Sequence, residues 1–273
     1  MERVLNKNTF DSGYLSTSES NAMEFTREVM KKALHPDFAD FFGKPVDVFE
    51  TVIISDIHLG DKFSRAQELL LLLNTVKFKR LIINGDVFDD INMKRLNRHH
   101  WRILSRLREL TDKDNNIEVI WIRGNHDGYS DLISQLLGIQ FINEYLMEWD
   151  GKRVLIIHGD IFDQFTMHPS LIGAVGCLFY QIALYMDPAK RKVASWLKRN
   201  SKLYQRNLEK VSKGAIHYAR HHKADIILCG HTHCVEQAVE EDVLYINSGS
   251  WTAEAPSHFI GFTEDQLKVI PFI

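Results

Sequence analysis

Five short apolar runs in this chain break off into aspartate, asparagine and histidine. Runs at 51–55, 81–84, 118–123, 153–157 and 225–229 have that form, and a sixth lies at 243–247, in VLYINSG, which with HFIGF and LKVIPF close behind it on short links reads as an antiparallel set. The first, TVIISDIHLG, ends in Asp56 and His58, and the second, LIINGDVFD, in Asp86. The third, VIWIRGNHD, delivers Asn125, His126 and Asp127. RVLIIHGDIFD delivers His158, and DIILCGHTH delivers His231 and His233. Segments of helical character at 64–76 and 95–110 separate the first three runs, so strand and helix alternate, which argues for a layered α/β fold. In such folds ligands sit outside the carboxyl ends of the strands. The five clusters therefore converge on one rim.

Spacing and donor type narrow what the rim can hold. Residues two apart in an extended chain point to the same face, so Asp56 with His58, and His231 with His233, can grip one object. Glycines stand before Asp86, Asn125 and His231, where they are expected to let the backbone turn sharply. Leaving His126 and Asp127 aside, the donors are two carboxylates, four imidazoles and one carboxamide. That is too many for one tetrahedral ion and suits two ions sharing a bridging carboxylate. Two cations about 3.5–4 Å apart form the clamp used for in-line attack on phosphorus. A lone histidine at a strand end is ordinarily a satisfied polar residue, and Asp-Gly and Asn-His pairs occur in plain turns. Five ligand-rich clusters in register are not explained that way.

The series SDIHLG, NGDVFD, RGNHD, HGD and GHTH resembles, in order, the motifs of the calcineurin-like metallophosphoesterase superfamily over roughly residues 49–262. The resemblance implies a four-layer α-β-β-α sandwich and two divalent metal ions, manganese foremost, with iron or zinc as alternatives. It assigns Asp56, His58 and His233 to one ion and Asn125, His158 and His231 to the other, with Asp86 bridging. His126 matches the histidine that assists the leaving group, and Asp127 the acid that orients it. Metal-activated hydroxide would attack the phosphorus without a covalent enzyme intermediate. Asp89, Asp160 and Asp163 lie beside the motifs and can orient the histidines or serve as plain surface or capping residues.

The substrate has to be read from what lies between the motifs. Residues 1–48 read as an N-terminal extension with a polar lead over 1–22 and a helix ending at His35-Pro36. Residues 49–273 read as the catalytic domain, with a helical insertion over 165–222. The insertion opens with the apolar run LIGAVGCLFYQIALYM, residues 171–186. As a helix it spans about 24 Å, short of the ~30 Å hydrocarbon core of a bilayer, and it contains Gln181. Residues 189–213 then hold nine Lys/Arg against one Glu, in a chain whose net charge is −3. An apolar helix beside a basic one can hold acyl chains and a phosphate head group and rest on an anionic membrane surface. The alternative is a solvated basic helix covering an apolar partner.

This arrangement, with HGDIFD and LYINSGSW, is similar to the UDP-2,3-diacylglucosamine hydrolase branch of the superfamily. The studied hydrolases of that branch carry arginine where this chain has His126. The expected partner is a phosphate-bearing small molecule or lipid. Basic residues cluster in one segment rather than along a groove, so no nucleic acid is expected. The chain shows no secretory signal, and Cys177, Cys229 and Cys234 have no framework spacing. The expected location is cytoplasmic, with peripheral attachment to the inner face of the membrane open to test. Two alternatives stand beside this reading: a soluble phosphodiesterase or phosphatase acting on a nucleotide or phosphoprotein, and a non-catalytic scaffold. A scaffold fits poorly with seven filled ligand positions.

Overall fold

A computed structural model describes residues 48–128, 130–163, 202–252 and 256–272. The lead over 1–22, the helix expected to end at His35, the apolar run 171–186, Cys177 and the basic residues up to 201 lie outside the described residues. What is described is a mixed α/β fold of two sheets and four helices.

The first sheet is built on three parallel strands, β1 (Phe49–Ile54), β2 (Phe78–Asn84) and β3 (Glu118–Ile122). The short β4 (Gln140–Ile142) pairs parallel to β3 at one edge. The second sheet has β6 (Lys152–Ile157), β7 (Ile226–Cys229) and β9 (Val243–Ser248) in parallel. It is flanked by antiparallel β5 (Glu144–Trp149) and β8 (Val235–Glu240). The helices are α1 (Ala66–Thr75), α2 (Arg98–Leu110), α3 (Ser130–Leu137) and α4 (Lys202–His221).

Alternation along β1 explains the packing. Val52 and Ile54 face one way, into a cluster with Leu69 and Leu72 of α1, Ile103 and Leu107 of α2 and Trp121. Ile53 points the other way, into a cluster with Ile82, Ile120, Ile156, Leu228 and Ile246 that joins the two sheets. A third cluster sets Ala215, Ile216 and Ala219 of α4 against Leu155, Ile227 and Tyr245. Both faces of the central strands are thus covered, which is why they read as continuous apolar runs.

One sequence expectation is corrected. VLYINSG, HFIGF and LKVIPF read as one antiparallel set, but they divide between the sheets. β9 lies in the second sheet, parallel to β7. β10 (Ser257–Phe262) and β11 (Leu267–Phe272) pair antiparallel with each other, and β10 pairs antiparallel with β1 at the far side of the first sheet. Closeness in sequence suggested a meander. The chain instead passes from one sheet to the other through the rim, where Trp251 N–H donates to the Asp56 carbonyl.

The second helix begins at Arg98 rather than Arg95, because Asn97 caps it. The Asn97 side chain accepts from the His99 and His100 N–H groups, while His100 Nδ1 accepts in return from Asn97 N–H. His100 Nδ1 also lies 3.2 Å from the N–H of Gly60, which ties the start of α2 to the loop after β1. A ring accepting at Nδ1 cannot be protonated there, and burial lowers the His100 pKa from its ordinary 6.5. The stability this contributes is complete above pH 6.5 and is lost as pH falls below it, because the unfolded chain then binds the extra proton. Denaturant unfolding of wild type and His100→Gln across this range checks the sign: the difference between them shrinks toward acid pH.

Candidate metal centre

The loops after β1, β2, β3, β6 and β7 are tied to one another before any side chain meets an ion. Asp86 is where most of the ties cross. Its carbonyl accepts from the N–H groups of Ile57 and His58, each at 3.0 Å. Its own N–H donates to Asp127 Oδ2 at 2.8 Å, and its Oδ1 accepts from His126 N–H at 2.9 Å. Its Oδ2 lies 3.6 Å from His58 Nε2 and 3.3 Å from His158 Nε2. One carboxylate oxygen therefore sits between two donor groups, Asp56–His58–His233 and Asp86–His158–His231. Asn125 joins the second group, its Oδ1 lying 3.1 Å from His231 Nδ1.

Each of the four imidazoles turns one nitrogen toward a partner outside the centre, within hydrogen-bond distance in three of them, and the other inward. His158 Nδ1 donates to the Asn84 carbonyl at 2.8 Å. His231 Nε2 meets Asp163 Oδ2 at 2.9 Å, His58 Nδ1 faces Asp89 Oδ1 at 3.7 Å, and His233 Nδ1 lies 3.5 Å from Thr252 Oγ1. Such outer partners fix the tautomer and ring orientation of metal-binding histidines. On the inner side, His58 Nε2 and His233 Nε2 face each other at 3.2 Å. His158 Nε2 is buried with no hydrogen-bond partner, close to Asp86 Oδ2 but not aligned to bond with it. A buried, orphaned nitrogen aimed at a carboxylate is what a site for a divalent cation requires. The His/Asp groups brought together here are able to bind divalent metal ions.

The backbone is strained where these donors stand. Asp56, His58, Asp86, His231 and His233 all have positive φ, between 48° and 66°. Non-glycine residues avoid this region, and such strain gathers at functional sites. The expected role of the glycines is corrected accordingly. Gly85 does turn, with φ 83°. Gly124 and Gly230 have no positive φ and act through their lack of a side chain. A Cβ on Gly124 would fall on the Asp86 carboxylate, and one on Gly230 on the Asp56 carboxylate. Asp56 Oδ1 and Oδ2 instead accept from His231 N–H at 3.1 and 3.0 Å.

The role expected for Asp127 is also corrected. Its carboxylate is spent on the N–H groups of Asp86, Val87 and Gly124 and on Trp121 Nε1, at 2.8–3.1 Å. It anchors the loops after β2 and β3, and among the described residues no hydrogen bond joins it to His126. His126 is exposed at the rim, and its Nδ1 is held instead by the Asp89 carbonyl at 2.6 Å. Burial and the neighbouring Asp86 charge push Asp127 up to about 6. Asn84, Trp121 and Thr252 complete the surroundings and were not singled out by sequence. Asn84 alone left a signal, as a polar residue ending an otherwise apolar strand.

The charges are strongly coupled. Burial opposes ionisation of Asp56, but His233 and His158 outweigh it and hold the carboxyl at about 2. Burial likewise opposes the charge on Asp86, and His158 and His58 hold it far below the usual carboxylate range. Burial depresses His158, while Asp86 and Asp56 pull it up to about 10.

A profile of the calcineurin-like phosphoesterase superfamily domain matches residues 49–263. The chain belongs to that superfamily. As a calcineurin-like phosphoesterase it is 27% identical over 176 residues to the DNA polymerase II small subunit of Methanothermobacter thermautotrophicus. That match covers 51% of this chain and 36% of the relative, so the chain spans about a third of its length. Among solved structures, it resembles an archaeal phosphodiesterase at 16% identity and TM-score 0.43, covering 81% of this chain and 98% of that one. It also resembles Vps29 from Chaetomium thermophilum at 12% identity and TM-score 0.43, covering 82% and 87%. At TM-scores below 0.5 these likenesses carry no argument.

Two outcomes are expected of this superfamily member. Gly230→Ala displaces the Asp56 carboxylate and weakens divalent-ion binding about 10–100-fold, measured by calorimetry on chelator-stripped protein. Ion binding also releases protons, because His158 must give up the proton it holds below pH 10. Apparent affinity therefore rises with pH up to that value, as titrations in buffers of different ionisation enthalpy will show.

Proposed function

We propose that the protein hydrolyses a phosphoric ester or anhydride with two divalent ions bound by Asp56, His58 and His233 and by Asn125, His158 and His231, with Asp86 shared. The observation that carries the proposal is Asp86 Oδ2, which lies within 3.6 Å of a histidine from each set. When bound, such a pair of ions activates water and draws in the phosphoryl oxygens. The chain's own residues do the rest. Asp86 holds both donor sets to one spacing. His126 stands at the exposed edge with Nδ1 bonded to Asp89, which leaves Nε2 as the nitrogen that can carry a proton to the departing oxygen. Asp127 keeps the loops beneath it in place through four N–H groups.

The finer proposal is a substrate like UDP-diacylglucosamine, cleaved at its pyrophosphate. Its support is the similarity of HGDIFD and LYINSGSW to that branch and the segment between His158 and Asp225. The described part of this segment, α4, reaches the candidate centre: Tyr204 O–H donates at 2.9 Å to the carbonyl of Thr232, between His231 and His233. Among the described residues no helix is long and apolar enough to cross a membrane. Contact with an anionic membrane would fall to residues 165–222.

A manganese-supplemented screen of phosphate compounds, with and without acyl chains, tests both levels. Release of UMP from UDP-diacylglucosamine supports the finer proposal. Turnover of bis-p-nitrophenyl phosphate without UMP release rejects that substrate and favours a soluble phosphodiesterase. Asp86→Asn is expected to reduce every activity to background, and so is removal of metal by chelation. A metal-saturated wild type inactive on all compounds overturns the hydrolase reading and leaves the scaffold alternative.

A further inference from the structure

A third donor group, His58, Asp89 and His126, lies beside the two already described. It does not suit another cation. His58 already turns Nε2 toward Asp86 and His233, so a third ion would need the same ring deprotonated at both nitrogens. Asp89 is already neutralised: Arg95 Nη1 lies 2.6 Å from its Oδ2. The other oxygen, Oδ1, faces His58 Nδ1 at 3.7 Å. The contacts thus run in a line from Arg95 to Asp89 to His58 and end at the shared carboxylate Asp86.

We propose that Arg95 is a positioning residue for the first ion site, fixing the Asp89 carboxylate so that His58 keeps its proton on Nδ1 and presents Nε2. This rests on the two-ion reading above and adds to it a residue outside all five motifs. Four observations carry it. Arg95 is the exposed end of a single 3-10 turn, Met93–Arg95, which Met93 and the following Leu96 seat on the core, so packing places its backbone while the ion pair with Asp89 places its guanidinium. The turn is closed by Asn92, whose side chain accepts from Lys94 N–H. Arg95 is also gripped by Asp90, so the guanidinium is held between two carboxylates and only one of them faces a candidate ligand. Asp89 N–H, for its part, donates to the Leu59 carbonyl at 3.0 Å, which fixes its backbone and leaves the side chain as the variable part. An aspartate side chain has few rotamers, and a planar guanidinium selects among them better than a point charge does.

The inference separates Arg95 from an ordinary surface ion pair, which contributes little on its own. Its effect would be on the tautomer of a buried ring that it does not touch. The test uses the full chain as wild type, Arg95→Ala, Arg95→Lys and Asp90→Asn. Long-range proton–nitrogen spectra of histidine-labelled, chelator-stripped protein in alkaline solution read the His58 tautomer, assigned with His58→Gln. Wild type and Asp90→Asn should show a single Nδ1–H form, and Arg95→Ala an averaged pair. Manganese calorimetry should show one of two sites weakened about 10–100-fold in Arg95→Ala, partly restored in Arg95→Lys, and unchanged in Asp90→Asn. An unchanged tautomer in Arg95→Ala overturns the proposal. So does equal weakening of both sites with a lowered melting temperature, which marks a general structural role. If wild type binds no manganese, the two-ion reading fails, and the tautomer comparison still decides what Arg95 does.

Discussion

Three of the four polar atoms of Asp86 are hydrogen-bonded to the surrounding loops, and the architecture around it follows from that. Its carbonyl takes two N–H groups from the loop after β1, its amide reaches Asp127, and one side-chain oxygen takes the His126 amide. The remaining oxygen faces two imidazoles. A buried carboxylate without partners would shift its pKa and neutralise. This one stays charged because the surrounding loops supply donors, and those loops hold their shape because it is there. Two parallel strand sets, each covered on both faces, bring the loops within reach.

The left-handed backbone at five donor positions extends the same logic. Each such residue costs of order 1–3 kcal/mol and persists only where its neighbours over-determine it. Here the neighbours are glycines that leave room for carboxylates, and amides that hold them. Asp56 illustrates the balance: a strained conformation at the end of β1, stabilised by the His231 amide on both oxygens. Strain and hydrogen bonding are spent on aiming side chains inward rather than on making the fold more stable.

Much of this was legible in the sequence, for a definite reason. An apolar strand must end where its donors begin, so Asp56, His58, Asp86, His158, His231 and His233 announced both the strand ends and the rim. What the sequence did not disclose depends on contacts across the chain. Asp127 sits next to His126 in sequence, and nothing in that adjacency says that its oxygens turn back to Val87 and Trp121. The same holds for Gly124 and Gly230, whose need is set by carboxylates 38 and 174 positions earlier in the chain. β9 and β10 are neighbours in sequence yet join different sheets, and Trp251 between them is fastened to Asp56 in the loop after β1 rather than closing a hairpin turn.

The two donor groups each draw on both sheets. Asp56 and His58 come from the first sheet and His233 from the second; Asp86 comes from the first and His158 and His231 from the second. Neither half of the chain could assemble either group by itself. The rim is therefore also a seam, and a cation seated there would clasp the two sheets together, so that neither donor group exists until the most distant parts of the chain have met.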